Sequence, residues 1–162
     1  NMPYWGLTIG QQGVADVMAY LKVTFKGVPQ LAETDVGEGP SGVCPQPRKT
    51  ARAPGKFRRM QNPLPSTPDN IKAGETLFQQ KAQPIACMNC HGTKGDGQGP
   101  MGAALSPPPR NFTCGETMNN IADGQLYWVI KKGSAGTGMM AFPGLSDNQI
   151  WQLIHYIRSL SQ

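Results

Sequence analysis

Cys87-Met88-Asn89-Cys90-His91 is the stretch on which the reading of this 162-residue chain turns. Two thiols three positions apart stand beside an imidazole. C-x-x-C by itself is shared by zinc knuckles and redox dithiols. The histidine directly after the second cysteine narrows the choice. A zinc site needs two further ligands nearby, whereas Cys44, Cys114 and His155 lie far off in sequence without paired spacing. A thioredoxin-like dithiol needs βαβ surroundings, and no stretch of the chain alternates cleanly enough for a strand.

The reading that fits is covalent attachment of haem. Thiols at this spacing can reach two vinyl groups on one porphyrin edge and form thioethers. The adjacent histidine then lies beneath the iron as proximal ligand. One haem c is therefore expected, on Cys87 and Cys90, with His91 as ligand. For the second axial position the candidates are His155 and eight methionines. His155 falls off the apolar stripe of Ile150, Leu153 and Ile157, which reads as a partly exposed helical histidine. Met139 and Met140 follow Gly136-Thr137-Gly138, a loop able to swing a thioether over the distal face.

Outward from the motif, Thr67-Pro68 opens a helix running to about Lys81, with Thr67 as N-cap and Pro68 at the first helical position. Residues 92–120 read as loop. The run Gly95 to Gly99 follows no strand, so it supplies tight turns near the porphyrin edge rather than a nucleotide loop. Leu126, Val129 and Ile130 mark a short helix from about Asp123 to Lys132, closed by Gly133. Ser146 and Gln149 form a capping box before the stripe Ile150, Leu153, Ile154, Ile157, Leu160. Towards the N-terminus, Val14, Val17, Met18, Leu21 and Phe25 give an amphipathic helix within 1–30. Residues 31–66, rich in Pro and Gly, form an irregular linker holding Cys44. The expected organisation is mainly α: a helical segment 1–30, a linker 31–66 and a domain 67–162.

Apolar residues make up 38% of the chain, and it holds 20 glycines and 15 prolines. So thin a core calls for a staple or a cofactor to pack around. The net charge of +5 serves solubility or an acidic docking partner. Its basic residues Arg48-Lys49, Arg52, Lys56 and Arg58-Arg59 sit among Pro and Gly, which argues against nucleic-acid binding by a basic helix. No stretch approaches the roughly 20 apolar residues of a membrane span. No signal peptide is visible, so an exported protein would have lost its targeting segment already.

From Thr67 to Leu160 the chain resembles class I cytochromes c, particularly bacterial ones with a cytochrome-c6 or cbb3-type domain. The resemblance is carried by Gly74-x-x-x-Phe78, the C-x-x-C-H motif, and Gly95-Asp96-Gly97-Gln98-Gly99-Pro100. It continues in Leu126 to Gly133, in Gly138-Met139-Met140-Ala141-Phe142, and in Leu145-Ser146-Asp147 leading to Trp151, Leu153, Tyr156 and Ile157. It implies crossed first and last helices around one covalent haem, with Gly74 allowing close approach and Phe78, Leu153 and Tyr156 around the crossing. It implies Met139 as axial ligand, with Met140 as the alternative, standing where the family has proline. It also implies that the Pro100 carbonyl accepts from the His91 ring, and that Arg110 and Trp128 are candidates to contact a haem propionate. The extracytoplasmic, typically periplasmic, compartment it implies favours a Cys44–Cys114 disulfide. Residues 1–27 resemble the end of a second cytochrome domain, with Met2-Pro3-Tyr4-Trp5 like an axial-methionine loop.

The expected function is single-electron transfer by a soluble or tethered monohaem carrier, without bond chemistry, between redox partners. The alternative is a haem c subunit of a larger oxidoreductase or respiratory complex, in which the 66 residues before Thr67 wrap a partner. A haem enzyme with an open sixth position is the third reading.

Overall fold

The computed structural model describes residues 44–46 and 50–162. The helix expected at 12–25, the cytochrome-like segment 1–27 and most of the linker before residue 50 lie outside them. The described residues are helical and irregular, with no strand among them, as the mainly α reading expects.

Among the described residues the α-helices are six: α1 Gly55–Arg58, α2 Pro68–Thr76, α3 Met88–His91, α4 Gly115–Met118, α5 Asp123–Lys132 and α6 Asp147–Ser159. α2 starts where the Thr67 hydroxyl accepts from the Asn70 N–H. It continues into a π-helical turn, Leu77–Lys81, which buries Leu77 and Phe78. α6 begins with the complete capping box, Ser146 and Gln149 each satisfying the other's backbone N–H. α5 has the bounds expected, and Gly133 leaves it at φ +74°, a conformation that favours glycine. The single-turn helices α1 and α4 fall in stretches that read as irregular, and the single turn α3 holds the C-x-x-C-H motif. Four residues are too few to show a helical period.

The core forms where α2 crosses α6. Gly74 is buried there, and a Cβ on it would stand 2.6 Å from the Gln152 carbonyl carbon and 3.0 Å from Tyr156 Cβ. Phe78, Ile150, Leu153 and Ile154 are all but inaccessible around the crossing, and the Phe78 and Tyr156 rings lie 5.2 Å apart. On the other side, α1 rests on α5: Phe57 stacks on Tyr127 at 6.3 Å, and Tyr127 on Trp151 at 4.6 Å. Arg158 of α6 binds the Asp123 carboxylate and the carbonyls of Met118 and Ile121, tying the last helix to the turn before α5.

The segment upstream of α2 is fastened at several points. Cys44 and Cys114 are disulfide-bonded across a separation of 70 residues. The buried Gln125 side chain accepts from the Ala53 N–H at 2.7 Å and donates to the Ala51 carbonyl at 3.2 Å. Residues 44–46 and 50–60 therefore strap onto the helical body.

Candidate functional site

α3 is a single turn, and its place depends on its neighbours. The His91 N–H bonds the Cys87 carbonyl, and the carbonyls of Asn89, Cys90 and His91 accept from Met101, Gly99 and Gly97. A Cβ at Gly99 would meet backbone of Asn89 and Cys90 at 2.5–2.6 Å, so this loop lies directly against the turn. The glycine run thus folds the chain back over the motif, and both thiols and the imidazole come to face one cavity.

That cavity measures about 370 Å³. Cys87, Cys90 and His91 line it, as do Met139 and Met140 from the loop between α5 and α6. The rest is mostly apolar: Phe78, Ile85, Leu105, Pro107 to Pro109, Phe112, Leu126, Ile130, Phe142, Leu153 and Ile157. Burial pushes the Cys87 thiol up to about 12, aided by nearby Cys90. A thiol so hard to ionise is a poor exchange dithiol at neutral pH. Burial likewise drives the His91 imidazole down to about 4, against the opposing pull of the Arg110 carbonyl. The ring is neutral, as a metal ligand requires. Its Nδ1 stands 3.0 Å from the Arg110 carbonyl oxygen. A carbonyl only accepts, so Nδ1 carries the proton and Nε2 keeps its lone pair. Phe112 stacks on the imidazole at 4.4 Å and 19°.

The hydrogen-bond acceptor therefore differs from the expectation of Pro100. Pro100 is exposed at the outer side of its turn. The chain passes His91 at Arg110 because Phe112 N–H bonds the Gly95 carbonyl at 2.7 Å. Arg110 lines the cavity, as a propionate contact would require, and its guanidinium lies 3.4 Å from two oxygens of Gln46. Trp128 does not line the cavity: it is half-buried on α5, which contributes Gln125, Leu126, Val129 and Ile130 to the lining. His155 bonds the Leu64 carbonyl at 2.9 Å and stands outside the cavity lining.

Met139 and Met140 differ in setting. The Met139 N–H donates to Thr137 Oγ1 at 3.1 Å, and its carbonyl accepts from Ser134 N–H at 2.9 Å. Met140 is 45% exposed. Both ends of Met139 are held, whereas much of Met140 reaches solvent. Sequence reasoning missed Ser134, Gln46 and Phe112. Ser134 lines the cavity, is buried, and its hydroxyl has no partner among the described residues. A buried orphan hydroxyl awaits an acceptor. The lining of two thiols, a neutral imidazole, two methionines and apolar side chains fits a flat apolar group bearing vinyls, a metal and a few polar atoms, which Cys87, Cys90, His91 and a methionine could hold.

A family model described as cytochrome c matches residues 71–161. Among solved structures, the chain is similar to one from the "reducing HAO-like protein complex Kustc0457/Kustc0458" of Kuenenia stuttgartiensis. Identity is 31% and the TM-score 0.54, over 64% of this chain and 50% of that one. This chain thus spans about half the length of that relative.

Proposed function

The chain belongs to the cytochrome c family, and from that premise we propose that it is a monohaem electron carrier with histidine–methionine ligation. Family membership brings covalently bound haem c and electron transfer. In this reading residues 67–162 are the haem domain, Cys87 and Cys90 form the thioethers, and His91 and Met139 are the axial ligands, with Met140 the alternative. When bound, the haem supplies a one-electron iron couple. The protein's share is to hold two ligands that suit both oxidation states, exclude water and offer a docking surface. A thioether favours the reduced iron and raises the potential. The apolar wall from Phe78 to Ile157 keeps water off, while Arg110 and Ser134 stand ready for the polar atoms of the cofactor.

The observation that supports this most is the convergence of both thiols, a neutral imidazole and a backbone-pinned methionine on one apolar cavity. Residues 50–60 carry exposed Arg52, Lys56, Arg58 and Arg59, which suit an acidic redox partner outside the cytoplasm. No helix among the described residues is long and apolar enough to cross a membrane. The similarity to a chain from a reducing HAO-like protein complex favours a second reading, a haem c subunit of a larger oxidoreductase.

Intact-mass analysis of protein made with haem-attachment machinery tests the first step. One haem added to the polypeptide is expected, and a bare chain refutes the proposal. Absorption spectroscopy of the oxidised form should then show the long-wavelength band of thioether-bound ferric haem. Size-exclusion chromatography from the native source separates the readings, a lone monomer marking the carrier and a stable hetero-complex the subunit.

A further inference from the structure

The peptide unit joining Arg110 to Asn111 is hydrogen-bonded on both sides. Its carbonyl accepts from His91 Nδ1 at 3.0 Å, and its N–H donates to Gln46 Oε1 at 2.7 Å. His91, one amide and Gln46 therefore form a chain of bonds running from the cavity to the strap. Gln46 is itself held in register. Its backbone N–H donates to Thr117 Oγ1 at 2.9 Å and its Nε2 to the Pro109 carbonyl at 3.1 Å. Two residues away, the Cys44–Cys114 bond anchors the segment. Gln46 also lines the cavity, though it lies outside the matched residues 71–161.

Hydrogen bonds in series polarise one another. An acceptor drawing on the Asn111 N–H makes the Arg110 carbonyl a stronger acceptor. That carbonyl then draws harder on the Nδ1 proton, and the imidazole becomes a more basic ligand. A more basic ligand favours the ferric over the ferrous iron. We propose that Gln46, brought in by the disulfide-anchored strap, is a positioning residue that strengthens the hydrogen bond of His91 and lowers the reduction potential. This rests on the reading of His91 as proximal ligand.

The test uses the holoprotein and the variants Gln46→Leu and Gln46→Glu. Intact mass and the absorption spectrum come first, so loss of the haem or of its ligation counts against the proposed function and is distinguished from failure here. Spectroelectrochemical titration and the ¹H–¹⁵N resonance of His91 Nδ1–H in the reduced protein follow. Gln46→Leu should raise the potential, shifting electron exchange with a reference couple by about threefold, and move the Nδ1–H resonance upfield. Gln46→Glu keeps an acceptor for Asn111, so its resonance should stay at or downfield of the wild-type value. An unchanged potential and resonance in folded, disulfide-intact Gln46→Leu overturns the proposal. Should Gln46→Leu not fold, the glutamate variant decides alone: an upfield Nδ1–H resonance overturns it.

Discussion

Replacing Gly74 with alanine puts a methyl group into the crossing of α2 and α6. The new Cβ would stand 2.6 Å from the carbonyl carbon of Gln152, and closer still to its oxygen. Ordinary contact begins near 3.4 Å, so the helices must part by roughly 1 Å. The nearest atoms are backbone, which no rotamer change can move aside. Insertion of an extra methyl into a packed core costs about 1–3 kcal/mol, and rigid neighbours set this case near about 3. Alanine returns about 1 kcal/mol in helix propensity. The net loss is about 2 kcal/mol, or roughly 10 °C in Tm for a domain near 100 residues. Circular dichroism of the holoprotein on heating reads it directly. Gly144→Ala, where nothing lies within 4 Å of the new Cβ, is the control and should change little. A Gly74→Ala protein as stable as wild type would mean that the helices do not cross this tightly, and the reasoning fails.

Met139→Ala should abolish the thioether band of the oxidised protein and lower its potential, while Met140→Ala leaves the band in place; absorption spectroscopy decides, and the opposite pattern assigns Met140. Removing the Cys44–Cys114 bond opens a closure of 70 residues, which in the chain-entropy model costs about 4 kcal/mol, measurable by urea unfolding of a Cys44→Ser, Cys114→Ser variant. The Lys131 ammonium and the Tyr127 hydroxyl hold the Asp147 carboxyl below the usual carboxylate range. A carboxyl depressed in the folded state contributes stability above its unfolded value near about 4, and that contribution is lost as pH falls through the folded value. Asp147→Asn should therefore be less stable than wild type at neutral pH, by no more than about 1 kcal/mol for so exposed a pair, and the gap should close in strong acid. Urea titrations at the two pH values check it, and an equal gap at both refutes it.

What the sequence by itself determined is what acts over a few residues. Two thiols and an imidazole within five positions specify haem attachment before any fold is known. Thr67 with Pro68, and Ser146 with Gln149, mark helix starts because capping needs only the next three backbone N–H groups. Gly74 was legible through the resemblance to class I cytochromes c, which implies close approach of the first and last helices there. Tertiary structure alone decided the partner of the His91 ring. Pro100 and Arg110 are both near in sequence, and the choice belongs to the loop path set by the Gly95 to Phe112 bond. The same holds for Trp128, whose place outside the cavity lining follows from which face of α5 meets the cavity. Gln46 reaches Asn111 across 65 residues, and Ser134 meets the cavity only where α5 ends. Contacts of that range depend on how loops close and helices cross, and no local pattern of residue types encodes them.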